Sequence, residues 1–224
     1  MVKKIKLTLL AMSCVATLMV LNACTRQEES KPKAKKASMD QQIEDQFKFW
    51  KEKQDSKLLV EYYRFMSQYL KRPPSLLELT ANRNFMPEHC YSKRFAIPPK
   101  ALWKNVVSSL QLVEKLNSDP YFKSYSITAI YRNPELNKCV GGAGKSKHLS
   151  NYAVDFYVLN PKEGNEKERE LLVKNMCQFW KVEGKNFKMG LGVYGNNRYH
   201  IVTQGYRTWG KDFKSTSSPC LKNN

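Results

Sequence analysis

The residues best suited to chemistry are three histidines, His89, His148 and His200. Two of them stand in unusual contexts: Ser146-Lys147-His148-Leu149-Ser150-Asn151-Tyr152-Ala153-Val154-Asp155, and Asn197-Arg198-Tyr199-His200-Ile201-Val202-Thr203. Imidazole nitrogen and carboxylate oxygen suit Zn²⁺, and three protein ligands leave a fourth position for water. His148, Asp155 and His200 are therefore the candidate metal ligands. The spacing from His148 to Asp155 is too loose to prove shared geometry. On spacing alone, hydrogen-bonded structural histidines are the default.

These residues need a scaffold. Ser126–Tyr131 and Tyr152–Leu159 read as strands, and Asp155 falls on the second. Met189–Tyr194 and Tyr199–Thr203 read as two short strands around the turn Gly195-Asn196-Asn197, and His200 falls on the latter. His148 ends a loop or short helix, 132–147, that holds Gly141, Gly142 and Gly144. Apolar residues at helical spacing predict one or two helices over Asp40–Leu70, one over Lys100–Leu116 and one over Glu166–Trp180. Arg72-Pro73-Pro74 stops the first region, and Ser75 is placed to cap a short helix through Leu79. Residues 81–99 read as loop. The pattern predicts an α+β fold, a small, mostly antiparallel sheet flanked by helices.

The N-terminal region points to export. Lys3, Lys4 and Lys6 precede an apolar run, Leu7–Leu21, that is short for a membrane-spanning helix, as in a secretory signal. Its end, Leu21-Asn22-Ala23-Cys24, resembles a bacterial lipobox. That resemblance implies lipidation of Cys24, a membrane anchor, and a periplasm-facing place in the envelope, the outer membrane before the inner. Residues 24–40 are lysine-rich and read as a flexible basic tether. Of six cysteines, Cys14 lies in the signal and Cys24 would carry lipid. Cys90, Cys139, Cys177 and Cys220 remain, enough for one or two disulfides with three possible pairings. The net charge of +18 favours an anionic partner, and export argues against nucleic acid.

Ordered motifs carry a wider resemblance. Ser146-x-His148-x6-Asp155 is similar to the zinc signature of the LAS metallopeptidases, the D-alanyl-D-alanine carboxypeptidase-type murein peptidases. Tyr131-Arg132-Asn133-Pro134-Glu135-Leu136-Asn137 resembles that family's Tyr-Arg-Ser/Asn-Pro-x-x-Asn segment, and Val140-Gly141-Gly142-Ala143 resembles its Gly-Gly loop. Leu191-Gly192-Val193-Tyr194, His200 and Gly205-Tyr206-Arg207-Thr208-Trp209-Gly210 resemble the block around its third ligand. Phe95-Ala96-Ile97-Pro98-Pro99 with Leu102-Trp103 resembles the lead-in of an envelope branch. The resemblance spans roughly residues 85–212.

It implies a Hedgehog/DD-peptidase-like zinc domain over 85–215, between a helical extension, 41–84, and a tail, 216–224. It also implies zinc on His148, Asp155 and His200, Arg132 as the anchor of a substrate carboxylate or carbonyl, and Ser146 as a hydrogen-bonding group near the water or substrate. Peptidoglycan peptide is the implied substrate, hydrolysed by D-Ala-D-Ala carboxypeptidase or murein endopeptidase action. The chain departs from the family pattern near Asn151, where a small residue is usual. It departs again at Val202 and Gln204, where relatives carry Asp and Arg. No carboxylate or imidazole lies just before His200, where many relatives keep a general base. Glu88 and His89 would approach the site only if Cys90 were tethered to Cys139, and exposed loop positions are expected for both. These departures favour an alternative, a catalytically impaired wall-binding lipoprotein that keeps the fold. The sequence sets no oligomeric state.

Overall fold

Alternation along the strands sorts the molecule into a core side and a site side. The computed structural model describes residues 38–118, 121–159 and 165–222. Its strands are β1 (Tyr125–Ala129), β2 (Ala153–Val158), β3 (Gly190–Gly195), β4 (Arg198–Val202) and β5 (Arg207–Trp209). They form one sheet in the order β1-β2-β4-β3-β5. Neighbours run antiparallel except β3 and β5, which are parallel. Val154, Phe156 and Val158 of β2, Leu191 and Val193 of β3, and Tyr199 and Ile201 of β4 enter one apolar cluster. Asp155, Gly192 and His200 alternate with them and face the other way.

Six α-helices lie among the described residues. They are α1 (Met39–Glu52), α2 (Ser56–Ser67), α3 (Leu76–Thr80), α4 (Val107–Ser118), α5 (Pro134–Cys139) and α6 (Glu166–Val182). Leu110, Leu112, Val113 and Leu116 of α4 and Leu172, Met176, Phe179 and Trp180 of α6 pack into the same cluster as the strands. Each such side chain, fully buried, contributes about 1.5–3 kcal/mol of transfer free energy. The stretch expected as one helix over Lys100–Leu116 begins as a 3₁₀ segment, Lys100–Val106, before α4. There Trp103 Nε1 donates to the Pro98 carbonyl at 2.8 Å. No helix among the described residues is long and apolar enough to cross a membrane.

Within 41–84, α2 and α3 share this core, whereas Ile43 of α1 lies in a separate cluster with Ala81 and Phe95. Asp40–Leu70 divides at Asp55, whose side chain accepts from Lys57 N at 2.8 Å and caps α2. Tyr62 and Met66 of α2, with Leu70 and Leu79, lie in the same cluster as the strands. Ser75 caps α3 in a capping box with Glu78. At the far end, Cys220 is bonded to Cys177 of α6. The core thus extends past the span 85–215 on both sides. A second disulfide, Cys90–Cys139, fastens the 3₁₀ segment Glu88–Lys93 to the end of α5. Cys90, Cys139, Cys177 and Cys220 thus form two bridges.

Candidate metal centre

Register brings two of the three candidate ligands face to face. Asp155 of β2 lies directly opposite His200 of β4, and Gly192 of β3 lies opposite His200 on its other side. His148 arrives from the loop before β2. Its backbone carbonyl accepts from Arg132 N at 3.1 Å and from Asn151 N at 3.2 Å. Asn151 holds a left-handed backbone, φ 57°. Asparagine tolerates that conformation, which accounts physically for its standing where a small residue was expected. Its side chain donates to the Leu102 carbonyl at 2.9 Å and anchors the loop.

The ligand atoms of His148, Asp155 and His200 all lie within 4.8 Å of one another. His200 Nδ1 is 2.7 Å from Asp155 Oδ1, and His148 Nε2 is 3.2 Å from Asp155 Oδ2. All three are buried, at 3% exposure for His148, 9% for Asp155 and 8% for His200. His148 Nδ1 donates to the Ile130 carbonyl at 2.6 Å. With Nδ1 engaged there, Nε2 is the ring nitrogen that faces the carboxylate, the orientation a metal-ligating histidine needs. Burial alone would raise the Asp155 pKa, but attraction to His148 and bonds from both imidazoles hold it well below the usual carboxylate range. Burial pulls His200 below its ordinary pKa, opposed by Asp155. An ionised carboxylate between two nitrogen donors in a dry site is a donor set that fits zinc.

The neighbours divide into those foreseen and those not. Asn84 was not foreseen: its Nδ2 donates to Asp155 Oδ2 at 2.9 Å across a sequence separation of 71. Its segment is pinned by Asn82 N to the Arg94 carbonyl at 2.8 Å and by Arg83 N to the Thr128 carbonyl at 2.6 Å. Arg132 stands close enough for Asp155 to act on it. Burial lowers its pKa and the carboxylate opposes this. Its Nη1 donates to Asn137 Oδ1 at 3.4 Å, while Nε is buried without a partner. Asn137 in turn donates to the carbonyls of Gly142 and Ala143 at 3.2 and 3.1 Å. A Cβ at Gly142 would overlap Asn137 Oδ1 and come within 3.1 Å of Arg132 Nη1. The glycine loop therefore closes around the arginine. Asn133 caps α5, accepting from Leu136 N at 2.7 Å with Pro134 next in line.

Ser146 Oγ accepts from His148 N at 3.4 Å, a local bond that shapes the loop entering the ligand. Glu88 and His89 are exposed. His89 clusters with Cys90 and Cys139, but those sulfurs are joined to each other. Val202 is fully buried, and Gln204 is exposed. The turn between β3 and β4 brings neither carboxylate nor imidazole to the trio.

Residues 92–201 match the family model of Peptidase M15. The chain carries a Peptidase M15 domain. M15 peptidases are zinc-dependent, and the family includes D-Ala-D-Ala carboxypeptidases. The M15 match takes in Arg132, Ser146, His148, Asp155 and His200 and stops short of both Asn84 and Trp209. The five-stranded α+β architecture agrees with the M15 fold. No curated protein and no solved structure matches the chain.

Proposed function

We propose that the M15 domain is a zinc peptidase that hydrolyses an amide bond in peptidoglycan peptides, as a D-Ala-D-Ala carboxypeptidase or a murein endopeptidase. The observation that carries the reading is the buried His148–Asp155–His200 trio with the Arg132 guanidinium beside it. In this reading His148 Nε2, an Asp155 oxygen and His200 Nδ1 hold the metal. Zinc in such a site supplies Lewis acidity and lowers the pKa of water toward ~7. Arg132 binds a substrate carboxylate or carbonyl oxygen, for which its planar fork is suited. Asn137 and the glycine loop hold that fork in place. Ser146 orders the loop that presents His148. Asn84 keeps the Asp155 carboxylate from rotating.

An anionic wall polymer also suits the surface. A groove of about 670 Å³ at the end of the sheet is lined by Lys104, Lys115 and Lys188 and by no carboxylate. The leader and Cys24 lie outside the described residues. We propose from their sequence that the chain is a lipoprotein held on the periplasmic side of a bacterial envelope, at the outer membrane rather than the inner.

Mass spectrometry of purified muropeptides, incubated with the protein with and without a zinc chelator, tests the activity. Chelator-sensitive loss of a terminal D-Ala or opening of a cross-link supports the reading and names the bond. The turn Gly195-Asn196-Asn197 without an acid or base favours a second reading, a wall-binding lipoprotein with impaired catalysis. Retained sacculus binding with no chelator-sensitive cleavage would select it.

A further inference from the structure

The site side of β3 presents Gly190, Gly192 and Tyr194. The glycines matter because of what lies over them. A Cβ on Gly192 would stand 2.7 Å from Trp209 Nε1 and 3.0 Å from His200 Cβ. The Trp209 indole thus lies against β3 beside the candidate ligand, its ring centre 5.3 Å from that of His200. Its Nε1 donates to Tyr194 Oη at 2.9 Å. Indole N–H can only donate, so the phenol oxygen is the acceptor and the phenol proton is left for another group. Among the described residues that proton has no acceptor.

Tyr194 is fixed from several sides. Its ring meets His200 at 6.4 Å and Phe213 edge-on at 5.6 Å. Burial, and then the Asp155 charge, push its pKa above the ordinary tyrosine value, against the Trp209 bond and Arg132. A phenol is a neutral O–H donor at ordinary pH, and this one is held beside His200 by the Trp209 bond and the two ring contacts. A donor fixed in place beforehand costs no reorganisation when charge develops near it, the property that makes such groups effective.

We propose that Tyr194 is a catalytic residue whose O–H donates a hydrogen bond to the scissile carbonyl oxygen as that oxygen gains negative charge, with Trp209 as its positioning residue. The proposal rests on the peptidase reading above. No bond to Tyr194 forms or breaks, and the proton stays on the phenol. The competing role is structural, a bond that merely ties β5 to β3.

The test uses the zinc-loaded full chain with Tyr194→Phe and Trp209→Phe. Three readouts are needed: kcat and KM on a muropeptide, calorimetric affinity for a phosphinate dipeptide whose tetrahedral oxygen mimics the charged carbonyl, and zinc content. Tyr194→Phe is expected to lower kcat on the order of 10²–10³-fold, the size of one lost oxyanion donor. Phosphinate affinity should fall in parallel, with KM within a few-fold and zinc content unchanged. Trp209→Phe should give a smaller loss in kcat, on the order of tenfold, through misplacement of the phenol. Unchanged kcat and phosphinate affinity in Tyr194→Phe would overturn the proposal. So would a loss of activity that tracks loss of zinc or of thermal stability. A wild type that binds phosphinate but cleaves nothing defeats the peptidase reading instead, and Tyr194 is then judged on phosphinate affinity.

Discussion

Asn84→Ala is a sharp perturbation because it leaves every candidate ligand intact. Asn84 Nδ2 donates to Asp155 Oδ2 at 2.9 Å, and the same oxygen lies 3.2 Å from His148 Nε2. Removing the amide frees a buried carboxylate to rotate. A hydrogen bond to a charged group is worth about 1.5–3 kcal/mol. Loss of a group that orients a metal ligand typically costs 10–100-fold in metal affinity, or ~1.4–2.7 kcal/mol. The two estimates overlap. Asn84 is itself only partly buried, which places the expectation toward the lower end, near tenfold. Competition with a chelator of known zinc affinity measures it. The variant should still bind one zinc per chain, more weakly, and after loading it should melt a few degrees lower than wild type, as weaker binding requires. An affinity within twofold of wild type would refute the assignment of Asn84 to the site.

Other expectations follow from the core and its bridges. Tyr62 is fully buried with no hydrogen-bond partner for its hydroxyl, so Tyr62→Phe should leave stability unchanged or raise it by up to ~1 kcal/mol in urea unfolding. Burial, with Glu114 and Glu78, raises the Tyr125 pKa to about 12. Burial raises Tyr62 and Tyr199 as well. In the unfolded chain these phenols lose protons near pH 10, whereas in the folded chain they keep them. The stabilisation is therefore complete below pH 10 and is lost as pH rises through about 12. Phenolate absorbance and circular dichroism should change together in that window, and independent titration of the phenols at pH 10 would contradict it. The Cys177–Cys220 bridge spans a sequence separation of 43, and Cys177→Ser with Cys220→Ser should cost about 2–4 kcal/mol of stability.

Much of the scaffold was legible because its signals are local. Strands β1 to β4 follow from alternation, and the start of α3 from Ser75, whereas α5 lies in a stretch that reads equally as loop or short helix. β5 was not legible: Arg207–Trp209 is three residues long and pairs in parallel, with no hairpin turn to announce it. The candidate ligands were found by residue type and family motif, since their spacing alone points nowhere. Only register shows why it works, because Asp155 and His200 are 45 residues apart and directly opposed. Trp209 stands in the block that resembles the surroundings of the third ligand, whereas Asn84 reaches the site through a tertiary contact that no local pattern encodes. The disulfide pairing needed the fold for the same reason.

The central claim is that one metal ion sits among His148, Asp155 and His200. Elemental analysis of the purified full chain after equilibration with zinc tests it directly, alongside His148→Ala, Asp155→Ala and His200→Ala. One tightly held zinc per wild-type chain, lost in all three variants while the fold is retained, is the result expected. Zinc content unchanged in the variants, or no zinc bound by the wild type, would contradict it.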